Sequence, residues 1–300
     1  MAVQSPILVI LGSTASGKSA LAEMLARQAG AEILSVDSMQ VYRSMDIGTA
    51  KPTSAERAQV GYHLLDLVEP NESFTVARFV ELADAVIAGA SKPLIATGGT
   101  PLYYKALFEG LFEGPPADAG VREKLGQIGN EELHARLQKV DAAASARIHQ
   151  NDTRRMIRAL EVFELTGRPI SSFQTDWETA ALRHRAIFFG LIWEKEAINR
   201  RINARVKAMI AAGWVEETRQ LVERYGELSM TAGEATGYRE LVEHVRGRMK
   251  LEDAVEQIKI ATRQLARRQM KWFKRFANVR WLPGEAAVEK NAEEILRAWM

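Results

Sequence analysis

No cysteine occurs anywhere in this sequence. That absence excludes a disulfide scaffold, a thiolate metal site and a cysteine nucleophile, and it fits a reducing compartment. No run approaches the ~18 consecutive apolar residues of a membrane-spanning helix. The opening MAVQSPILVILG has no basic n-region, and its apolar run is too short for a signal peptide. The five histidines, His63, His134, His149, His184 and His244, show no metal-ligand spacing and read as structural. These absences point to a cytoplasmic protein with no membrane partner. Acidic residues are also missing from one long stretch. Between Gln257 and Gly284 stand Lys259, Arg263, Arg267, Arg268, Lys271, Lys274, Arg275 and Arg280, with no Asp or Glu among them. The net charge of +2 therefore conceals a basic C-terminal surface.

What is present is apolar and ordered in short runs, and 47% hydrophobic residues suffice for a packed core. ILVILG (7–12), EILSVDS (32–38), YHLLDLV (62–68), PLIATGG (93–99) and AIFFGLIW (186–193) are separated by segments of helical length. Runs apolar at nearly every position predict buried parallel strands in an α/β array. The spacing predicts a helix over 19–28, with Leu21, Met24, Leu25 and Gln28 on one stripe and Gly30 beyond its end. The Gly/Pro-rich stretch EGLFEGPPADAG (109–120) breaks the alternation, and helical patterns follow to about residue 174. This predicts a core domain, 1–112 with 184–300, holding a helical insertion, 113–183. After Trp193 the pattern is helical to about Phe276 and then becomes a less regular tail, VRWLPGE.

The first strand run leads into Gly12-Ser13-Thr14-Ala15-Ser16-Gly17-Lys18-Ser19, a full phosphate-loop pattern in the required order of strand, loop and helix. Backbone N–H groups of such a loop converge on phosphate oxygens, and the next helix aims its positive dipole end at them. Lys18 adds a charge, and Ser19 offers a hydroxyl to magnesium. The loop does not say what the phosphates carry. Asp37, at the end of the second strand run, falls at the sheet edge where ligands bind in such folds. It can hold magnesium, cap a helix or act as a base. TGGT (97–100) ends another run there; its glycines admit close backbone approach, and Thr100 is either a ligand contact or an ordinary helix cap.

In TRQLARRQMKWFKRF, Arg263, Arg267, Lys271 and Lys274 share one helical face, with Leu265, Trp272, Phe273 and Phe276 interleaved. A face of this kind neutralises nucleic-acid phosphates, with aromatics available to pack or to stack on bases. Arg154, Arg155 and Arg158 form a second basic face, although Glu161 and Glu164 follow closely enough to pair with it.

These blocks together resemble the tRNA dimethylallyltransferases, also called tRNA isopentenyltransferases, in their bacterial-type form. GSTASGKS (12–19), SVDSMQVYRSMDIGTAKP (35–52), HLLDLVEP (63–70), GGTPLYYKAL (98–107), ARIHQNDTRRMIRALEVF (146–163), ATGYRE (235–240) and TRQLARRQMKWFK (262–274) carry the likeness, in order along nearly the whole chain. Ser13 and Ser19 stand where the family often has Pro and Thr, and Lys271 where Thr is common; Ser19 keeps the hydroxyl. The zinc module of some eukaryotic relatives is not expected without cysteine.

The resemblance implies a phosphate-loop core with a helical insertion, and a loop that holds the diphosphate of dimethylallyl diphosphate rather than ATP. It implies transfer of the prenyl group to the exocyclic amine of the adenosine just 3′ of a tRNA anticodon. It makes Asp37 the base, Thr100 a residue at the reacting centre, Arg205 a diphosphate contact and magnesium at Ser19 the cofactor. Asp37, Ser38, Met39 and Gln40, with Thr100, would meet the extruded adenosine. Arg122, Arg154, Arg155, Arg158, Gly237, Tyr238, Arg239, Arg263, Arg267, Arg268 and Lys271 would grip the anticodon stem-loop. A monomer is expected. The residues alone also admit a small-molecule or nucleotide kinase, or a non-catalytic RNA-binding switch, neither of which accounts for the block motifs.

Overall fold

A computed structural model describes residues 5–110, 114–174 and 182–300. Six strands, β1 (Ile7–Gly12), β2 (Glu32–Ser35), β3 (Tyr62–His63), β4 (Leu94–Thr97), β5 (Ala186–Ile192) and β6 (Arg280–Pro283), form one sheet in the order β3-β2-β4-β1-β5-β6. Every pairing is parallel. β1 is buried along its whole length, as a central strand covered on both faces must be. The helix Lys18–Ala29 follows β1 and ends on Gly30, whose φ of 62° a left-handed cap requires. Its Leu21, Ala22, Leu25 and Ala26 pack on one sheet face with Ala292, Ile295 and Trp299 of the last helix, Val288–Trp299. Gln28 is exposed, and the two alanines complete the stripe in its place.

Two expectations are corrected. YHLLDLV is a strand only at Tyr62–His63. Leu64 and Asp66 adopt φ of 66° and 54°, turning Asp66 toward Lys51 Nζ (2.6 Å) and Arg57 Nη1 (2.6 Å). Lys51 is buried and also meets Asp46 (2.8 Å), so the charge on this loop overrides its apolar pattern. The tail VRWLPGE is likewise regular: it supplies β6, paired to β5 from Phe189↔Arg280 to Ile192↔Pro283. Its short, mixed sequence hid a strand whose pairing partner lies about ninety residues earlier.

The chain divides into two compact units, Met1–Phe108 with His184–Met300, and Glu109–Arg183. The boundary expected after residue 112 lies outside the described residues. The second unit is helical, with a core of Leu125, Leu133, Leu137, Met156 and Leu160. Its Glu161 is fully buried and accepts hydrogen bonds from Asp118 N (2.7 Å), Arg122 Nε (2.8 Å) and Arg158 Nη1 (2.6 Å). Burial pushes the Glu161 carboxyl up, but the two guanidinium groups outweigh it and hold the pKa below the ordinary value.

Each histidine is engaged locally: His63 with Glu32, His184 with Asp84, His134 with Ser145, His149 with the Asn151 N–H and His244 with the Met249 carbonyl. Among the described residues no cluster of His, Asp or Glu forms a metal site, and no helix is long and apolar enough to cross a membrane.

Trp299 is 4% exposed, and its indole N–H donates to the Pro6 carbonyl (2.7 Å). Trp299→Ala is expected to lower stability by about 3–5 kcal/mol in urea unfolding. An unchanged midpoint would exclude the terminal helix from the core.

Candidate active site

The loop after β1 is shaped from outside. Arg201 Nε donates to the Ala15 carbonyl (2.8 Å), and Trp193 Nε1 donates to the Ser16 carbonyl (3.0 Å). The Arg201 guanidinium also stacks on the Trp193 ring at 4.4 Å. A trans peptide sets its N–H opposite its C=O, so tying the Ser16 carbonyl outward turns the Gly17 N–H inward. Gly17, at φ 92°, starts the helix Lys18–Ala29 with no side-chain cap, which leaves its first N–H groups for an anion. Lys18 is buried, and its Nζ donates to the Ser13 carbonyl (3.3 Å).

The ends of β2 and β4 lie side by side, because these strands pair up to Ser35↔Thr97. Asp37, just past β2, accepts from Met39 N at Oδ1 (2.9 Å) and from Gly99 N at Oδ2 (2.9 Å). Each carboxylate oxygen keeps a free lone pair. A Cβ on Gly99 would stand 2.9 Å from Asp37 Oδ2, so the TGGT turn needs glycine there. Thr100 does not cap its own helix with its side chain: its Oγ1 accepts from Ser38 N (2.9 Å) and donates to Ser38 Oγ (3.0 Å).

Thr14, Lys18, Ser19, Asp37, Ser38, Met39, Gln40, Thr100, Arg205 and Arg268 all line one cleft of about 610 Å³. Burial pulls the Lys18 ammonium down from 10.5 to about 8, with Arg205 adding to the effect and Asp37 opposing it. Burial also lowers Arg205, against the pull of Asp37. Arg205 makes no ion pair within 4 Å among the described residues, and Arg201 lies outside on the loop carbonyl. Arg201 and Arg205 thus serve different tasks. Two cations held out of water define a seat for a polyanion.

Some residues assigned to RNA are committed elsewhere. Tyr238 is fully buried, and its hydroxyl donates to Glu217 Oε1 (2.6 Å), so its side chain braces the fold at the cleft wall. The same Glu217 accepts from the N–H groups of Asp46 (2.9 Å) and Ile47 (2.7 Å), holding the segment that carries Asp37. Gly237 donates its N–H to Glu240 (2.9 Å) as a helix start; the adjacent Arg239 is exposed. Gln40 accepts from Ser35 Oγ (2.7 Å) and donates to the Thr49 and Ala50 carbonyls (3.3 and 3.2 Å), so its amide is a strut.

Arg122 and Arg158 are held by Glu161, and Arg155 by Asp152 (3.4 Å), whereas Arg154 has no such partner among the described residues. On the helix Leu251–Phe273, Arg263, Arg267 and Lys271 do not face the Asp37 cleft. They line a second cavity, about 450 Å³, with Ser13 and Trp193. Arg263 donates to Asn203 (2.7 Å). Phe273 and Phe276 are core residues against Tyr104 and Phe188, and only Trp272 stays half-exposed among the aromatics interleaved there.

Sequence reasoning missed Gln269, Trp193 and Arg201. Gln269 interrupts the buried stripe Ile258, Ala266 and Phe273 of its helix, and that polar break in an apolar face was the available signal.

A phosphate loop at the carboxyl ends of a parallel sheet, facing a fixed carboxylate, defines an α/β phosphate-loop enzyme. Comparison narrows the class. The IPP transferase family model matches residues 40–276, and the isopentenyl transferase model matches residues 5–66. A tRNA dimethylallyltransferase of Geobacter metallireducens is 46% identical over 93% of this chain and 93% of its own length. That of Pelotomaculum thermopropionicum is 43% identical over 98% and 96%. Among solved structures, the tRNA isopentenylpyrophosphate transferase of Bacillus halodurans matches at a TM-score of 0.72, with 36% identity over 98% of this chain and 95% of that one. A eukaryotic dimethylallyltransferase acting on tRNA matches at 0.84, with 27% identity over 98% and 78%. The chain belongs to the tRNA dimethylallyltransferase family.

The Lys18 value carries a testable sign. Lys18 is charged below about 8, so pyrophosphate affinity is full at neutral pH and falls as pH rises through about 8. An ordinary lysine would hold the affinity to ~10.4. Calorimetric titration across this range checks it; a flat profile would contradict a buried, depressed lysine.

Proposed function

We propose that this enzyme transfers the dimethylallyl group of dimethylallyl diphosphate to the exocyclic amine of the adenosine immediately 3′ of a tRNA anticodon. The observation that carries this reading is the pairing, in one cleft, of an uncompensated cationic seat with a fixed carboxylate: Lys18 and Arg205 on one side, Asp37 on the other. The family supports this choice of substrates, and the geometry supports the roles proposed for these residues.

The diphosphate takes the N–H groups of Ala15, Gly17, Lys18 and Ser19, with Lys18 and Arg205 as cations, while the Ser16 N–H is turned to the Ser13 carbonyl (3.2 Å). The exocyclic amine of adenine is a weak nucleophile, because its lone pair is delocalised into the ring. Its nitrogen attacks the first carbon of the allylic group. The carbon–oxygen bond breaks, and the bonding pair leaves with the diphosphate. Asp37 accepts the amine proton on a free carboxylate lone pair, which is typically worth ~10²–10⁴ in rate. The cationic seat stabilises charge as it gathers on the leaving group, in a site already desolvated. Thr100, fixed through Ser38, presents its hydroxyl beside the reacting centre.

Ser19 fits magnesium: its side chain is an oxygen donor, exposed on the first helical turn beside Lys18 and without a hydrogen-bond partner among the described residues. Ser19 would hold a magnesium ion together with the diphosphate, and the ion would supply Lewis-acid neutralisation of the leaving group. The adenosine leaves its stack to reach Asp37, as base chemistry in a closed site demands. Arg268 at the cleft, and Arg267 and Lys271 on the neighbouring face, meet the RNA backbone. The protein acts as a monomer in the cytoplasm.

Transfer of radiolabel from dimethylallyl diphosphate into unmodified tRNA, with magnesium and without ATP, tests the reading. Labelled RNA is expected. Bound but unlabelled RNA with ATP consumed would make the loop an ordinary nucleotide site. Asp37→Ala is expected to lose ~10²–10⁴ in rate with RNA affinity retained. A fully active variant removes Asp37 from the role of base.

A further inference from the structure

Gln269 lies within the basic block of the helix Leu251–Phe273, yet it is only 4% exposed and both of its amide atoms are used inside the protein. Its Oε1 accepts from Thr14 N in the phosphate loop (2.8 Å). Its Nε2 donates to the Gly99 carbonyl (2.6 Å). Gly99 in turn donates its N–H to Asp37 Oδ2 (2.9 Å). One side chain thus spans the loop that seats the diphosphate and the turn that seats the carboxylate.

We propose that Gln269 is a positioning residue for prenyl transfer, fixing the separation between the diphosphate seat and Asp37. The inference rests on the assignment of Asp37 as base. In a displacement at carbon, nucleophile and leaving group lie on opposite sides of one atom, so the base and the diphosphate seat must keep one spacing. A misplacement of about 1 Å costs ~10²-fold in rate. The strands that carry the two seats are paired only as far as Ile10↔Thr97. Beyond that register β1 stays paired only to β5, through Gly12↔Leu191, and Gln269 joins the phosphate loop to the Gly99 turn.

A primary amide does this because it donates at one atom while accepting at the other. Leu does neither, and Glu keeps the acceptor for Thr14 but loses the donor for Gly99. A Cβ on residue 99 would stand 3.0 Å from Gln269 Nε2, so the glycine admits Gln269 as it admits Asp37. Gln269 lines the cleft at 4% exposure with both amide atoms engaged inside the protein, whereas the adjacent Arg268 is exposed.

The test uses the full chain with Gln269→Leu and the isosteric Gln269→Glu, the latter carrying the measurement if the former does not fold. Single-turnover transfer, tRNA Kd, dimethylallyl diphosphate KM and Tm are measured for each. The transfer rate is expected to fall ~10²-fold while Kd and KM move less than about three-fold. Adding Gln269→Leu to Asp37→Asn is expected to cause no further loss, because the base it positions is already gone. A loss carried by tRNA Kd would make Gln269 an RNA contact. An equal drop in the Asp37→Asn background would separate its effect from Asp37, and an unchanged rate would end the proposal. Absence of product from the unsubstituted enzyme would refute the function reading itself, so the two failures are distinguishable.

Discussion

The carboxylate of Asp37 is held by two backbone N–H groups from different segments, Met39 on its own turn and Gly99 at the end of the neighbouring strand. Backbone donors cannot rotate away, so the carboxylate keeps a single direction as long as β2 and β4 stay in register. That register comes from the buried parallel sheet. The site's geometry is therefore inherited from the core, which keeps a group that must act within hydrogen-bond reach in its place. Gln269 and Thr100 extend the same arrangement to the phosphate loop and to Ser38.

Electrostatics supplies the complementary constraint. Burial lowers the proton affinity of both Lys18 and Arg205, with Arg205 adding to the effect on Lys18 and Arg201 to that on Arg205, and Asp37 opposes both without pairing to either within 4 Å among the described residues. The native fold stores an unfavourable interaction that an incoming diphosphate relieves, so binding affinity comes from charge left uncompensated by the protein. On the outer side of the loop, Arg201 and Trp193 do the opposite work. They satisfy the Ala15 and Ser16 carbonyls and so orient the N–H groups that a phosphate needs. Two arginines four residues apart on one helix thus serve opposite sides of a single loop.

Much of this was legible in the sequence. β1, the loop and the helix after it follow from an apolar run, a glycine pattern and a helical stripe that are local in the chain. Asp37 and Thr100 were readable as sheet-edge residues, though choosing among their roles needed their partners. Four features were not legible. Charge at Lys51, Arg57 and Asp66 turned an apolar run into a loop. β6 has strand identity only through β5. The basic helix divides between two cavities, and a list of its arginines cannot show which of them faces Asp37. Tyr238 looked like an RNA contact within its motif, yet its ring is needed inside. Burial depends on what packs from distant parts of the chain, and a motif does not record it.

The most direct measurement of the central claim is a crystal structure of this enzyme with magnesium, an unreactive thio-analogue of dimethylallyl diphosphate and an anticodon stem-loop. The account predicts the adenine exocyclic nitrogen within about 3.2 Å of an Asp37 carboxylate oxygen. The allylic carbon would lie between that nitrogen and a diphosphate seated on the loop, Lys18 and Arg205. An adenine directed away from Asp37, or a diphosphate seated off the loop, would contradict it.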